Sequence, residues 1–279
     1  MIYWLMEPWA FSFMQTAVTM AVLLGFLGGM AGSIVVTQRS ALQVESLAHA
    51  LLPGLVIAYL WMGRSTWSLL IGGIFAVILT RLLSLVFSFH QRTDHTTGSA
   101  IIIGFNFSLG LLLYHIYRNQ LPISLDHFIL GDLLAVSWTD NWFAMAVVLS
   151  LFLLLLFFYS PIKAFLFDPD YTARRGWPIL TARTILEVVI SIATILSFQS
   201  VGLILTLAIL IVPAATIQMV ARHLWQMFVF GGLLGAFEGV AGLSISYYLN
   251  WPSTPPIVML SVAIYTLVLA QKIWKEKAK

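Results

Sequence analysis

Phe11-Ser-Phe-Met-Gln-Thr-Ala-Val-Thr-Met-Ala-Val-Leu-Leu-Gly-Phe-Leu-Gly-Gly-Met-Ala-Gly-Ser-Ile-Val-Val36 carries no charged side chain. A helix needs about 20 apolar residues to cross the roughly 30 Å hydrocarbon core of a bilayer. This run exceeds that length and is continuous rather than alternating. It therefore reads as a spanning helix and not as a barrel strand. Working outward, further runs follow at roughly 42–62, 67–89, 96–117, 139–160, 182–198, 201–221, 225–249 and 257–273. The run 182–198 is short, and only Ser197, Gln199, Ser200 and Gly202 part it from the next, so the two can form one broken element. Eight or nine crossings are expected.

Composition agrees. Of 279 residues, 60% are hydrophobic and 9% charged, against about a quarter charged in soluble domains. Such a chain cannot cover a globule with polar surface in water. The expected fold is all-α: a polytopic membrane bundle of 8–9 helices, with residues 1–279 forming a single transmembrane domain. The first run is too long for a signal-peptide core and no basic residue precedes it, so no cleavage is expected. The chain has no cysteine, which excludes disulfides and thiolate metal sites. A net charge of +3 gives no case for nucleic-acid binding.

Orientation follows from Lys and Arg. With the N-terminus outside and nine crossings, the inner side holds Arg39, Arg92, Lys163, Arg174, Arg175, Arg183, Arg222, Lys272, Lys275, Lys277 and Lys279. The outer side holds Arg64 and Arg118, and collects Glu7, Asp126, Asp132 and Asp140. That acidity suits the approach of a cation, and equally suits plain solvated loops. The C-terminus is then cytoplasmic. Gly25/Gly29, Gly28/Gly32 and Gly231/Gly235/Gly239 form small-xxx-small rows, which let helices approach closely in lipid. They serve either packing within the bundle or a dimer seam. Pro213 implies a kink, with Thr206 and Thr216 near enough to satisfy freed carbonyls.

Asp168-Pro169-Asp170-Tyr-Thr-Ala-Arg174-Arg175-Gly176 reads as a complete short cytoplasmic helix of about two turns. Asp168 is placed to cap it and Pro169 to open it. Asp170 and the two arginines complement the dipole, and Gly176 ends the helix in a left-handed turn. So short a helix does not hold alone in water, so it docks on a partner protein or lies on lipid headgroups. The chain has no phosphate-binding loop and no Gly-Lys dipeptide, so any ATP hydrolysis belongs to another chain.

Ionisable groups within spans are costly and mark function. Glu45 and His49 stand four apart on one helix face. A carboxylate and an imidazole suit Zn²⁺ or Mn²⁺ but are too few alone. Two copies about a twofold axis would supply four ligands. The plainer reading is an internal Glu–His hydrogen bond. Arg183 and Glu187 read as an ion pair. Glu238 either lines a permeation path or is hydrogen-bonded between helices. Asp126, His127 and Asp132 are either a first cation contact or a turn with capping aspartates. His223 beside Arg222 reads as a headgroup contact.

Several blocks together resemble one family. Glu45-Ser-Leu-Ala-His49-Ala-Leu-Leu-Pro53-Gly54 is similar to the Asp-x-x-x-His-Ala-x-x-Pro-Gly signature of permease subunits in zinc/manganese/iron-type ABC importers. Phe128-Ile-Leu-Gly131-Asp132-Leu-Leu-Ala-Val-Ser137 looks like a second signature of theirs. Residues 168–176 resemble their cytoplasmic coupling segment. Val201-Gly202, Ile211-Val-Pro213-Ala-Ala-Thr216 and Tyr247-Tyr-Leu-Asn-Trp-Pro252 fit as well. The chain departs from the pattern at Glu45, usually Asp, and at Thr96-Thr97-Gly98-Ser99-Ala100, where an acid is usual. The resemblance implies a homodimeric permease in the bacterial inner membrane, with two ATP-binding subunits on the cytoplasmic face and a metal-loaded solute-binding protein outside. It implies contact of Glu45 and His49 with a passing divalent ion, Zn²⁺ or Mn²⁺ or Fe²⁺, leaning to zinc, and no permanently bound cofactor. The alternative is a proton-coupled secondary transporter of divalent cations, although the inverted repeat expected there is not visible. An intramembrane metalloprotease would need a His-Glu-x-x-His motif, which is absent.

Overall fold

The computed structural model describes residues 7–63, 66–88, 95–121, 125–131, 133–176 and 179–277. Among them there is no strand. The helices are α1 (Ser12–Gln38), α2 (Ala41–Met62), α3 (Thr66–Ser88), α4 (His95–Tyr117), α5 (Leu125–Leu130), α6 (Trp138–Phe157), α7 (Tyr159–Phe167), α8 (Pro169–Arg174), α9 (Ile179–Gln218), α10 (Leu224–Leu249) and α11 (Thr254–Lys277). Seven of these, α1, α2, α4, α6, α9, α10 and α11, are long and apolar enough to cross a membrane, and Leu70–Ser84 of α3 is a shorter apolar segment. Exposed faces are as apolar as buried ones. On α6, Trp142, Met145, Leu149, Leu153 and Leu156 point outward while Ala144, Val148, Leu151 and Leu155 are buried. Such a double-sided pattern fits a helix with lipid on one side.

The sixth and seventh apolar runs form one broken element: α9 comprises 40 residues in two helical pieces joined across a kink. Its backbone leaves helical geometry at Gly202, with φ 74° and ψ −177°. The break sits at Gly202, at the end of the polar stretch that parts the two runs, so they form the broken element read from the sequence; Pro213 stands inside the second piece. Thr206 donates to the Gly202 carbonyl (2.6 Å) and Thr216 to the Val212 carbonyl (2.8 Å). Neither serves the Ile209 carbonyl, which Pro213 deprives of its donor. That carbonyl lies against Gly28 of α1, where a Cβ would stand only 2.8 Å from the oxygen.

The chain divides into two compact units. The first comprises Met1–Arg39, Asp132–Ala193 and Ala208–Lys279. Its centre is α1, whose two glycine rows seat two different neighbours. Gly25 and Gly29 meet Gly235 and Gly231 of α10, while Gly28 and Gly32 meet Ile209 and Leu210 of α9. A Cβ at any of these four would fall on a facing carbonyl or side chain. The rows therefore pack helices within the unit, the first of the two readings given above. α1 closes with Arg39 in the left-handed region (φ 54°), its N–H reaching the carbonyls of Val35 and Val36. α6 opens on a capping box between Ser137 and Asp140, so Asp140 is a cap. His223 stands at the N-cap of α10, where Gln226 Oε1 accepts from the backbone N–H of Arg222 (2.8 Å) and His223 (3.2 Å). The Gln three residues on was the sequence signal of this capping box.

The second unit comprises Ser40–Gly131 and Thr194–Leu207. Here α3 runs antiparallel to α2, since Gly54 lies against both Gly72 and Ala76 while Gly72 reaches Ala58. α4 runs alongside α2 in the same direction, Phe107 meeting His49 and Gly110 meeting Leu52 and Pro53. Gly131 (φ 68°) and Gly202 (φ 74°) pack backbone on backbone.

Candidate functional site

The second unit holds the Glu45–His49 pair. On α2, Val44, Leu47, Ala48, Leu51 and Leu52 are buried, and this apolar stripe fixes the rotation of the helix. Glu45 and His49 sit one turn apart on the same helix and are both half-buried. The His49 ring meets Phe107 edge-on, with centroids 4.9 Å apart. Its Nδ1 is buried and has no hydrogen-bond partner. No hydrogen bond joins it to Glu45, so the internal Glu–His bond weighed from the sequence does not form. A small cavity beside His49 is lined by Ala48, Leu52, Phe107, Phe128, Ile129, Phe198 and Leu203. It leaves about 10 Å³ for the centre of a water-sized sphere, the room one water needs. Phe128 is held in turn by edge-on contacts with Tyr59 and Tyr114.

Pro53 bears on the same place. It stands inside α2 and has no N–H to offer the carbonyl four residues earlier, which is that of His49. Among the described residues no group of three or more His, Asp or Glu side chains could hold a metal.

The remaining candidates come from other stretches of the chain. Glu238, in the first unit, is 1% exposed. Its Oε2 accepts from Ser261 of α11 at 2.7 Å and its Oε1 has no partner. This is the hydrogen bond between helices foreseen as one of its two readings. Arg183 and Glu187 form the expected ion pair, at 3.2 Å on an exposed face. Asp132 and the side chains of Asp126 and His127 lie outside the described residues.

The segment 168–176 is laid out much as its sequence suggests. Pro169 opens α8 and Asp170 lies in its first turn. The Asp168 carbonyl accepts from both the backbone N–H and the hydroxyl of Thr172, at 3.1 and 2.9 Å. Gly176 follows with φ 73°. The helix is six residues long, shorter than the two turns expected, and it packs on α7. Thr172 is fully buried, whereas Asp168, Asp170, Arg174 and Arg175 are exposed. Among its described side chains this short element turns charged groups outward and buries one threonine.

Two features escaped the sequence reading. The Gly131–Gly202 contact joins positions far apart in the chain and has no local signature beyond glycine itself. The buried amide of Asn106 was passed over as a lone polar residue in an apolar run.

Comparison with known proteins agrees with this architecture. The sequence profile of the ABC 3 transport family matches residues 10–272. The chain is 30% identical over 258 residues to the manganese transport system membrane protein MntC of Halalkalibacterium halodurans, covering 92% of this chain and 87% of that one. It is 29% identical to the zinc transport system membrane protein TroC of Treponema pallidum, covering 91% and 87%. Its fold matches a chain of PsaBC from Streptococcus pneumoniae, solved in complex with Fab, with TM-score 0.87 and 26% identity over 96% of this chain and 95% of that chain. With a profile that spans nearly the whole sequence and a fold to match, this multi-pass membrane protein belongs to the ABC 3 transport family.

Proposed function

We propose that this chain is the membrane-spanning permease subunit of an ATP-driven importer that moves a divalent transition-metal ion, Zn²⁺ or Mn²⁺ or Fe²⁺, into the cytoplasm. The observation that carries the reading is the buried, unpartnered Nδ1 of His49 one turn from Glu45. A buried polar atom without a partner is costly, and a cation passing this point would supply one. The Glu45 charge would offset part of the ion's desolvation. Two copies of the chain about a twofold axis would bring two carboxylates and two imidazoles together. Partial coordination suits passage, because a site that binds too well does not release. Phe107, Phe128 and Phe198 close over the imidazole, and an apolar constriction blocks a hydrated ion until the helices move.

The eleven-to-two bias of Lys and Arg favours an outer N-terminus and a cytoplasmic C-terminus, and places segment 168–176 on the cytoplasmic side. There it would couple to a separate ATP-binding subunit, present in two copies, through Asp168, Pro169, Asp170, Arg174, Arg175 and Gly176. Nothing in this chain hydrolyses ATP. A metal-loaded solute-binding protein would dock outside, near Asp126, His127 and Asp132. The bacterial inner membrane is the compartment that fits.

The test is metal uptake in reconstituted vesicles, normalised to folded transporter. Glu45→Gln keeps size and polarity but removes the charge. His49→Ala removes the imidazole. Both are expected to abolish uptake with expression and ATPase binding intact, while Glu45→Asp stays active. Normal uptake by His49→Ala would refute the site.

A further inference from the structure

Hydrogen-bond bookkeeping singles out a further residue at the depth of His49. Asn106 of α4 is 0% exposed. Its Nδ2 lies 3.3 Å from Thr80 Oγ1 on α3. Thr80 spends its only hydroxyl proton on the Ala76 carbonyl, at 2.8 Å. The threonine oxygen can then only accept from Asn106. This fixes the amide: the NH₂ group must face Thr80, and the carbonyl oxygen Oδ1 must be the free end. That oxygen has no partner.

Register places the free oxygen. α3 is antiparallel to α2 with Ala76 beside Gly54, so Thr80, one turn on, lies level with Ala50. Asn106 precedes Phe107, whose ring touches His49. The ring of Pro53 lies on Gly110 of α4. The two other unpartnered polar atoms of this unit, Ser197 Oγ and Gln199 Oε1, flank Phe198, which lines the cavity beside His49. The amide oxygens of Asn106 and Gln199 can only accept, and an unpartnered acceptor inside a membrane suits a cation.

We infer that Asn106 is a neutral oxygen ligand to the passing cation, held in orientation by Thr80 and acting beside the Glu45–His49 pair. This rests on the metal-permease reading above. An amide oxygen suits hard and borderline divalent ions and adds no charge, so it contributes contact without trapping the ion. Because oxygen ligands suit Mn²⁺ better than the nitrogen and sulfur ligands preferred by Zn²⁺, the residue also bears on the choice of metal.

The experiment measures initial uptake of Mn²⁺ and Zn²⁺ against concentration in vesicles holding the complete transporter. Asn106→Leu keeps the shape and removes the oxygen. Asn106→Asp keeps the shape and adds charge. His49→Ala is run in parallel. Asn106→Leu is expected to lower Mn²⁺ uptake per folded transporter by roughly tenfold, the usual scale for losing one partner in a metal site, and to lower Zn²⁺ uptake less. Asn106→Asp is expected to saturate at lower Mn²⁺ concentration with slower turnover. Unchanged uptake per folded Asn106→Leu transporter overturns the assignment. A wild-type concentration dependence in Asn106→Asp overturns it too, even if the leucine variant fails to fold. If either result accompanies loss of uptake in His49→Ala, only the role of Asn106 falls. If His49→Ala is also normal, the metal-site reading falls with it.

Discussion

Gly131 and Gly202 show how much a single hydrogen atom in place of a side chain can decide. Both have positive φ, and each backbone lies where the other's Cβ would be. Alanine at Gly202 meets a penalty of about 1–3 kcal/mol for a backbone region open essentially to glycine alone and an overpacking penalty of about 1–3 kcal/mol. Gly176 has a similar φ with nothing within 4 Å, so Gly176→Ala bears a backbone penalty alone. Thermal unfolding in detergent should show a clearly larger drop for Gly202→Ala, and equal drops would deny the contact. Glu238 invites a second comparison. Ser261 has one hydroxyl proton and two acceptors in reach, Glu238 Oε2 at 2.7 Å and the Ile257 carbonyl at 3.0 Å. A glutamine amide can donate to Ser261 while Ser261 donates to Ile257. Glu238→Gln is therefore expected to keep its unfolding temperature and its uptake, whereas Glu238→Leu should unfold earlier; loss of uptake in a stable Gln variant would assign Glu238 to the ion path. At this scale the sequence was legible where partners are local. Glu45 and His49 share a face by spacing alone, as do Arg183 and Glu187. Asn106 and Thr80 sit on different helices, and no spacing rule links them.

Helices are where most of the fold could be read in advance. Long uncharged runs announce themselves, and each of the apolar runs became helix. The glycine rows of α1 predicted close packing, and α10 and the second half of α9 fill the two sides. Sequence could not assign which row met which neighbour, because glycine spacing says how near a helix may come and not which one. The break in α9 was legible as the polar stretch that ends at Gly202, and the carbonyl that Pro213 frees lies against Gly28. The short helix α8 was legible from its stop signals, and it carries the next prediction. Ala173→Pro puts a ring inside this short helix at a cost of about 3 kcal/mol. The permease should still insert, but transport should stop and ATPase activity should no longer respond to the loaded binding protein. Intact coupling in that variant would make α8 a lipid-surface element.

Taken whole, the molecule is a bundle whose exposed faces are apolar, whose family is that of ABC 3 transport proteins, and whose second unit holds the buried, unpartnered Nδ1 of His49. The proposed account draws its energy from a separate ATP-binding subunit, since the sequence carries no phosphate-loop motif. A secondary transporter would need none, and would draw on a proton gradient. The most direct test uses vesicles containing the wild-type chain with its ATP-binding subunit and metal-loaded binding protein, with Mn²⁺ and Zn²⁺ uptake followed in the presence of ATP or of an imposed pH gradient. The account predicts accumulation that requires ATP and is lost when the ATP-binding subunit is inactive. Accumulation driven by the pH gradient alone, with no ATP and no second subunit, would contradict it.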